Sequence, residues 1–171
     1  MCSEAELAKL EADLKRSRSN WAVLASTKVE SSSEIEFEAK PDGSFLALGK
    51  APAKDITTFT AKLPITNATA LQLDVLTDKS LPQNGPGRAE NGNLHLTDIV
   101  VRVNGRPVKI ATAEADFNHD GWTIDRAIDT NPDSAWGIHP QRGRPHRALF
   151  VFEKPLAAAK GDTIEIELHQ N

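Results

Sequence analysis

An all-β antiparallel sandwich, of jelly-roll type and preceded by a short N-terminal helix, is the fold this sequence predicts. Three observations predict it. Beyond Trp21, apolar residues recur at every second position in several short runs. Turn signals rich in Gly, Pro and Asn separate those runs. No second helix of useful length follows, and the connections are long. With 171 residues, the chain suits one domain able to bury a real core.

Residues 3–18 read as a helix. Ser3 and Glu6 have capping-box spacing, and Leu7, Leu10 and Leu14 form a narrow stripe at helical spacing. Glu11 and Lys15 add a favourable i, i+4 pair. The stripe is too short for an independent coiled coil, so residues 1–18 are assigned to a helical linker segment and 19–171 to the sandwich. Within the latter, Ile35 and Phe37 alternate with Glu34, Glu36 and Glu38, and Phe59, Ala61 and Leu63 alternate with Thr60 and Lys62. Leu71, Leu73 and Val75 make a third run, Ile99, Val101 and Val103 a fourth. Phe150 and Phe152 mark a fifth, and Ile164, Ile166 and Leu168 a sixth. Each run gives a strand with one buried and one wet face. The turns lie at "PDG" 41–43, "NG" 104–105 and "KGD" 160–162.

The long stretch "LPQNGPGRAENGN", Leu81 to Asn93, holds three Gly and two Pro and little that packs a core. A connector needs fewer residues than the 77–93 loop supplies. As a structural wrap, its Pro residues lower the entropy of the unfolded loop, its Gly residues allow close backbone approach, and Arg88 bonds orphan carbonyls. As a ligand loop, it offers Asn84, Arg88, Glu90, Asn91 and Asn93 to a polar partner. The residues favour the wrap.

Composition narrows the function classes. The net charge of −4 gives no reason to expect a nucleic-acid partner. No apolar run approaches the roughly 18 residues of a membrane span. Cys2 is the only cysteine, which excludes an internal disulfide and a cysteine zinc cluster. Met1 leads directly into "CSEAELAKLEADL", with no signal peptide, so the chain is expected to be either cytosolic or a piece cut from a longer exported protein, and a secreted or periplasmic setting within a larger protein is the one assigned.

At the 81–93 loop a resemblance enters. "LPQNGPGRAENGN", followed by "LHLTDIVV", is similar to a module of large planctomycete secreted proteins that also carry a cytochrome c-like domain. Agreement extends to Trp21 and Leu24, to "PDGSFLALGKAPAKDITTFT", to "LQLDVLTD" and to "AEADFNHDGWTIDRAIDTNPDSAWGIHP". It covers about residues 20–170. "AIDTNPDSAW" also resembles a segment of discoidin-like and family 32 carbohydrate-binding modules, with Thr130 in place of the usual Gly and Ser134 in place of the usual Thr. The resemblance implies a discoidin-like, galactose-binding-like sandwich. No cytochrome portion is present in this chain, so it implies no electron transfer.

Two constellations carry candidate chemistry. Asp129, Asn131 and Ser134 offer a carboxylate, an amide and a hydroxyl in a bent loop, as calcium requires, and the discoidin-like resemblance implies a structural Ca2+ there. The alternative is that these side chains cap turns through Asx hydrogen bonds. "DFNHDG" at 116–121 imitates the start of an EF-hand, but Ala127 stands where the twelfth-position Glu is required. The second constellation is "HPQRGRPHR", 139–147, which concentrates basic residues in an acidic protein. His139, Arg142, Arg144 and His146, with Arg88 of the 77–93 loop, suit carboxylate or sulfate recognition. Trp122 and Trp136 offer flat faces to a sugar ring, or else fill the core. Neither G-x-S-x-G, H-E-x-x-H nor a phosphate-binding Gly loop occurs, so no enzyme is expected. The expected function is a non-catalytic carbohydrate-binding module for an acidic polysaccharide. The alternative is an architectural module that packs against neighbouring domains of its parent protein.

Overall fold

The computed structural model describes residues 21–171. The helix expected over 3–18 lies outside the described residues. Within them the chain forms eleven strands: β1 (Ser26–Ser31), β2 (Phe37–Ala39), β3 (Phe45–Ala47), β4 (Asp55–Lys62), β5 (Ala70–Val75), β6 (His95–Val103), β7 (Arg106–Val108), β8 (Ile110–Ala115), β9 (Trp136–Gly137), β10 (His146–Phe152) and β11 (Thr163–Gln170). All pairings are antiparallel. The larger sheet runs β1-β4-β11-β6-β7, with β9 added to the start of β6; a smaller sheet runs β5-β10-β8; β2 and β3 form a separate hairpin.

The register turns the sequence alternation into rows of core residues. Across the larger sheet, Ile164 lies between Ala61 and Val103, Ile166 between Phe59 and Val101, and Leu168 between Thr57 and Ile99. Across the smaller sheet, Phe150 lies between Leu71 and Ala113, and Ala148 between Leu73 and Ala115. The two inward faces meet in one cluster that includes Ile164, Leu168, Ala148, Phe150 and Phe152. Burying a side chain such as Phe150 stabilises the fold by about 1.5–3 kcal/mol. On the outward face Arg102 pairs with Glu167 across β6 and β11.

The turns follow the residues that demand them. Asn104 and Gly105 both have positive φ, 48° and 75°, as the two-residue β6–β7 hairpin turn requires. A bulge in β6, where Leu96 opposes Gln170 but Asp98 opposes His169, shifts the phase of the alternation. Leu96 therefore points inward along with Ile99 and Val101, and His95 points outward.

Three strands cannot cover five. Among the described residues the β2–β3 hairpin meets β4 through an edge-to-face contact of Phe45 on Phe59, with centroids 6.0 Å apart. Phe59, in the middle of β4, is half-buried, while Thr57 and Ala61 on the same face are buried.

Candidate functional site

The strand directions bring the longest connections to one end of the molecule: 76–94 between β5 and β6, and 116–145 between β8 and β10. Three strands of backbone run side by side there. Gly137 in β9 opposes His95 on one side, and on the other its N–H donates to the Trp122 carbonyl at 3.0 Å. The His119 N–H donates to the Gly137 carbonyl at 3.1 Å. Since Gly137 has no side chain, the outward rings of His95 and Trp122 meet over it, stacked with centroids 4.5 Å apart and planes within 7°. The same parity turns Trp136, opposite Leu96, into the core.

Asn93 fastens this layer to the next loop. Its Oδ1 accepts from the backbone N–H of Ile138 at 2.9 Å and of His139 at 3.0 Å. Its Nδ2 lies 3.1 Å from His95 Nε2 and, as a donor, requires that nitrogen to be the acceptor. Burial holds the His95 imidazole below its usual basicity, opposed in part by a hydrogen bond with the Asn171 side chain. A neutral ring is also the form that accepts from Asn93. The Gly143 N–H donates to the Gly85 carbonyl at 2.6 Å, a second tie between the loops. Gly87 is closed upon by the same loop, since a Cβ there would overlap the Asn93 carbonyl. Each loop carries one cis peptide, Gly85–Pro86 and His139–Pro140.

The residues expected to bind a ligand fall into two groups. Trp136 is 0% exposed and donates through Nε1 to the Phe117 carbonyl at 3.0 Å. A sugar cannot stack on it, which corrects its assignment as a platform. His146 is 2% exposed, with Nδ1 facing the Asp116 carboxylate and Nε2 2.7 Å from the Gln141 carbonyl. It supports the loop from beneath and does not meet solvent, which corrects its assignment as a ligand contact. Arg88 spends its guanidinium on the Leu48 and Gly49 carbonyls, at 2.8 and 2.9 Å, which places it in the wrap. Arg147 is paired with Asp74 at 2.7 Å.

Trp122, His139, Arg142 and Arg144 remain accessible. Trp122 and His139 are half-buried, and Arg142 and Arg144 are exposed. Among the described residues neither arginine takes part in an ion pair. The His139 ring lies 5.7 Å from that of His119.

The 129–134 loop is closed by its own donors. Asp129 Oδ1 accepts from the Asn131 N–H at 2.8 Å, and Oδ2 from the Ser134 hydroxyl at 2.7 Å. Asn131 Oδ1 in turn accepts from the Asp133 N–H at 3.1 Å. Among the described residues no group of three or more His, Cys, Asp or Glu converges as a metal cage would need. One carboxylate, already doubly bonded, is a poor fit to the six to eight oxygens calcium takes, and these side chains act as turn caps.

A second polar cluster lies at the same end. The buried Asp55 carboxylate accepts from the Ser31 hydroxyl at 2.6 Å, the Thr57 hydroxyl at 2.8 Å and the Ser33 N–H at 3.1 Å. Burial acts to raise its pKa, and these hydrogen bonds outweigh it and hold the group below the usual carboxylate range. Sequence reasoning did not single out Asp55, His95 or His119. The run "SSS" at 31–33 was the available signal for the first, and only the bulge in β6 exposes the second.

Compared with known proteins, the chain matches no family model, no curated protein and no solved structure.

Proposed function

We propose that the chain is a non-catalytic binding module whose loop-bearing end holds an acidic polysaccharide through Arg142 and Arg144. The observation that carries this reading is that these two guanidinium groups are exposed and, among the described residues, free of ion pairs, on a loop tied down by Asn93 and Gly143. A guanidinium fork holds a carboxylate or sulfate with two parallel hydrogen bonds, which a neutral hydroxyl cannot match. Trp122, with its ring plane fixed by His95, and His139 complete the surface. A rigid support lowers the ordering cost of binding. Nothing about the nearby carboxylates favours catalysis, since Asp116 and Asp129 are each engaged by neighbouring backbone N–H groups. The two facing antiparallel sheets and the clustered loops support the galactose-binding-like jelly roll, and a place within a larger secreted protein goes with it.

Amide chemical-shift mapping with an oligouronate tests the reading. Shifts confined to 82–92, 119–123 and 138–145 are expected. Shifts spread over the sheet faces, or none, count against it.

The exposed apolar side chains Trp21 and Val23 favour the architectural reading as a second function, packing against a neighbouring domain. It involves a different surface from the arginine loop.

A further inference from the structure

We propose that His119 and His139, side by side at the loop-bearing end, form a two-histidine site for a divalent transition-metal ion of the zinc type. Their ring centroids lie 5.7 Å apart, with planes tilted by 59°. Two imidazoles on one tetrahedral zinc, each with a Zn–N bond of about 2.0–2.1 Å, hold their centroids about 5 Å apart. A small side-chain adjustment closes the difference. The site does not rest on the polysaccharide reading, although His139 belongs to both.

The engagement of the other histidines singles out this pair. Of the five in the chain, His95, His146 and His169 each meet a hydrogen-bond partner through a ring nitrogen. Among the described residues the rings of His119 and His139 meet none, and His119 Nδ1 is buried without a partner. Buried ring nitrogens are normally satisfied, and a neutral imidazole always keeps one nitrogen able to bind a metal. Gln141 Oε1, two residues beyond His139, is the other buried side-chain atom left without a partner among the described residues. His95 also lies near His119, but the Asn93 and Asn171 side chains engage its ring.

Both backbones are tied in place. The His119 N–H donates to the Gly137 carbonyl at 3.1 Å, and the His119 carbonyl accepts from the Trp122 N–H at 2.8 Å. The His139 N–H donates to Asn93 Oδ1 at 3.0 Å. Ligands on a fixed backbone lose little further freedom when an ion binds. Imidazole nitrogen suits zinc, copper and nickel, whereas calcium and magnesium take oxygen. Two protein ligands leave further coordination positions to water. In the chain, Asp120 follows His119, while Arg142 and Arg144 follow His139 and oppose a dication. Affinity therefore comes from the nitrogen bonds, and a site with two of them is expected to be micromolar.

Calorimetric titration of the full chain with Zn2+ tests the proposal, in a Cys2→Ser background because a thiolate also binds zinc. One ion per chain is expected, with a micromolar dissociation constant, and no binding of Mg2+. His119→Ala and His139→Ala are each expected to weaken zinc binding at least tenfold. His169→Ala, which removes a ring paired with Glu167 on β11, is expected to leave it unchanged. Lack of binding at millimolar Zn2+ overturns the proposal and leaves His119 Nδ1 to an internal water. So does an affinity that survives both substitutions, which places the ion elsewhere. So does equal binding of Mg2+, which marks general attraction to carboxylates. If His119→Ala does not fold, as its melting curve without metal would show, His139→Gln decides alone, and unchanged affinity overturns the idea.

Discussion

One buried amide, that of Asn93, accepts hydrogen bonds from two successive backbone N–H groups and so joins the 81–93 loop to the 138–145 loop. Removing it leaves both donors without a partner. Each unpaired buried N–H costs about 1–3 kcal/mol, so Asn93→Ala is expected to lose about 2–4 kcal/mol in urea unfolding; a loss below about 1 kcal/mol would show that water replaces the amide freely. His95 gives a pH dependence. Its folded pKa lies below the ordinary 6.5, so protons bind the unfolded chain first. Its contribution to stability is complete above about pH 6.5 and is lost as pH falls through that value toward the folded pKa. His95→Gln is expected to flatten the part of the melting-temperature profile between about pH 7.5 and 5.5 that the wild type loses. Parallel profiles would contradict it. Asp55 acts at lower pH: with its folded pKa depressed, its stabilisation is present above about pH 3.8 and disappears as pH falls below that.

At the scale of elements, alternation located six strand regions. Those runs correspond to β2, β4, β5, β6, β10 and β11, and "PDG" and "NG" mark the β2–β3 and β6–β7 hairpin turns. The strands it passed over have a physical reason to be silent. β1, "STKVES", contains one large apolar residue and sits at a sheet edge, and β8, "IATAEA", buries small side chains against β10. β9 is only two residues long, yet it decides the fate of Trp136. Sequence alone could not tell which tryptophan faces outward, because that parity is set by pairing with His95 and Leu96. The basic loop was legible as a cluster, whereas the ties that consume Arg88, Arg147 and His146 come from distant parts of the chain. For the 129–134 loop, thermal melts in chelator and in millimolar calcium are expected to coincide, since both Asp129 oxygens are already bonded within the loop. Asp129→Ala is expected to cost about 1 kcal/mol in either buffer, the usual loss of a capping side chain. A rise of melting temperature with free calcium, abolished by Asp129→Ala, would establish an ion there.

Over the whole molecule, two unequal sheets leave a loop-bearing end on which the 139–147 stretch concentrates basic residues in an otherwise acidic protein, with a net charge of −4. Long-range repulsion from that net charge opposes an acidic polymer, so binding depends on close guanidinium contacts. Exposed contacts of this kind are screened over a Debye length of about 8 Å at physiological salt. Losing one arginine fork is expected to weaken binding about tenfold, close to 1.4 kcal/mol. The most direct measurement is electrophoretic retardation of the full chain in native gels cast with alginate, a sulfated glycan or a neutral glucan. The account expects retardation by the two acidic polymers and not by the glucan, weakening as salt rises and in Arg142→Ala or Arg144→Ala. Equal retardation in all three gels, retardation by the glucan alone, or unhindered migration in every gel would contradict it.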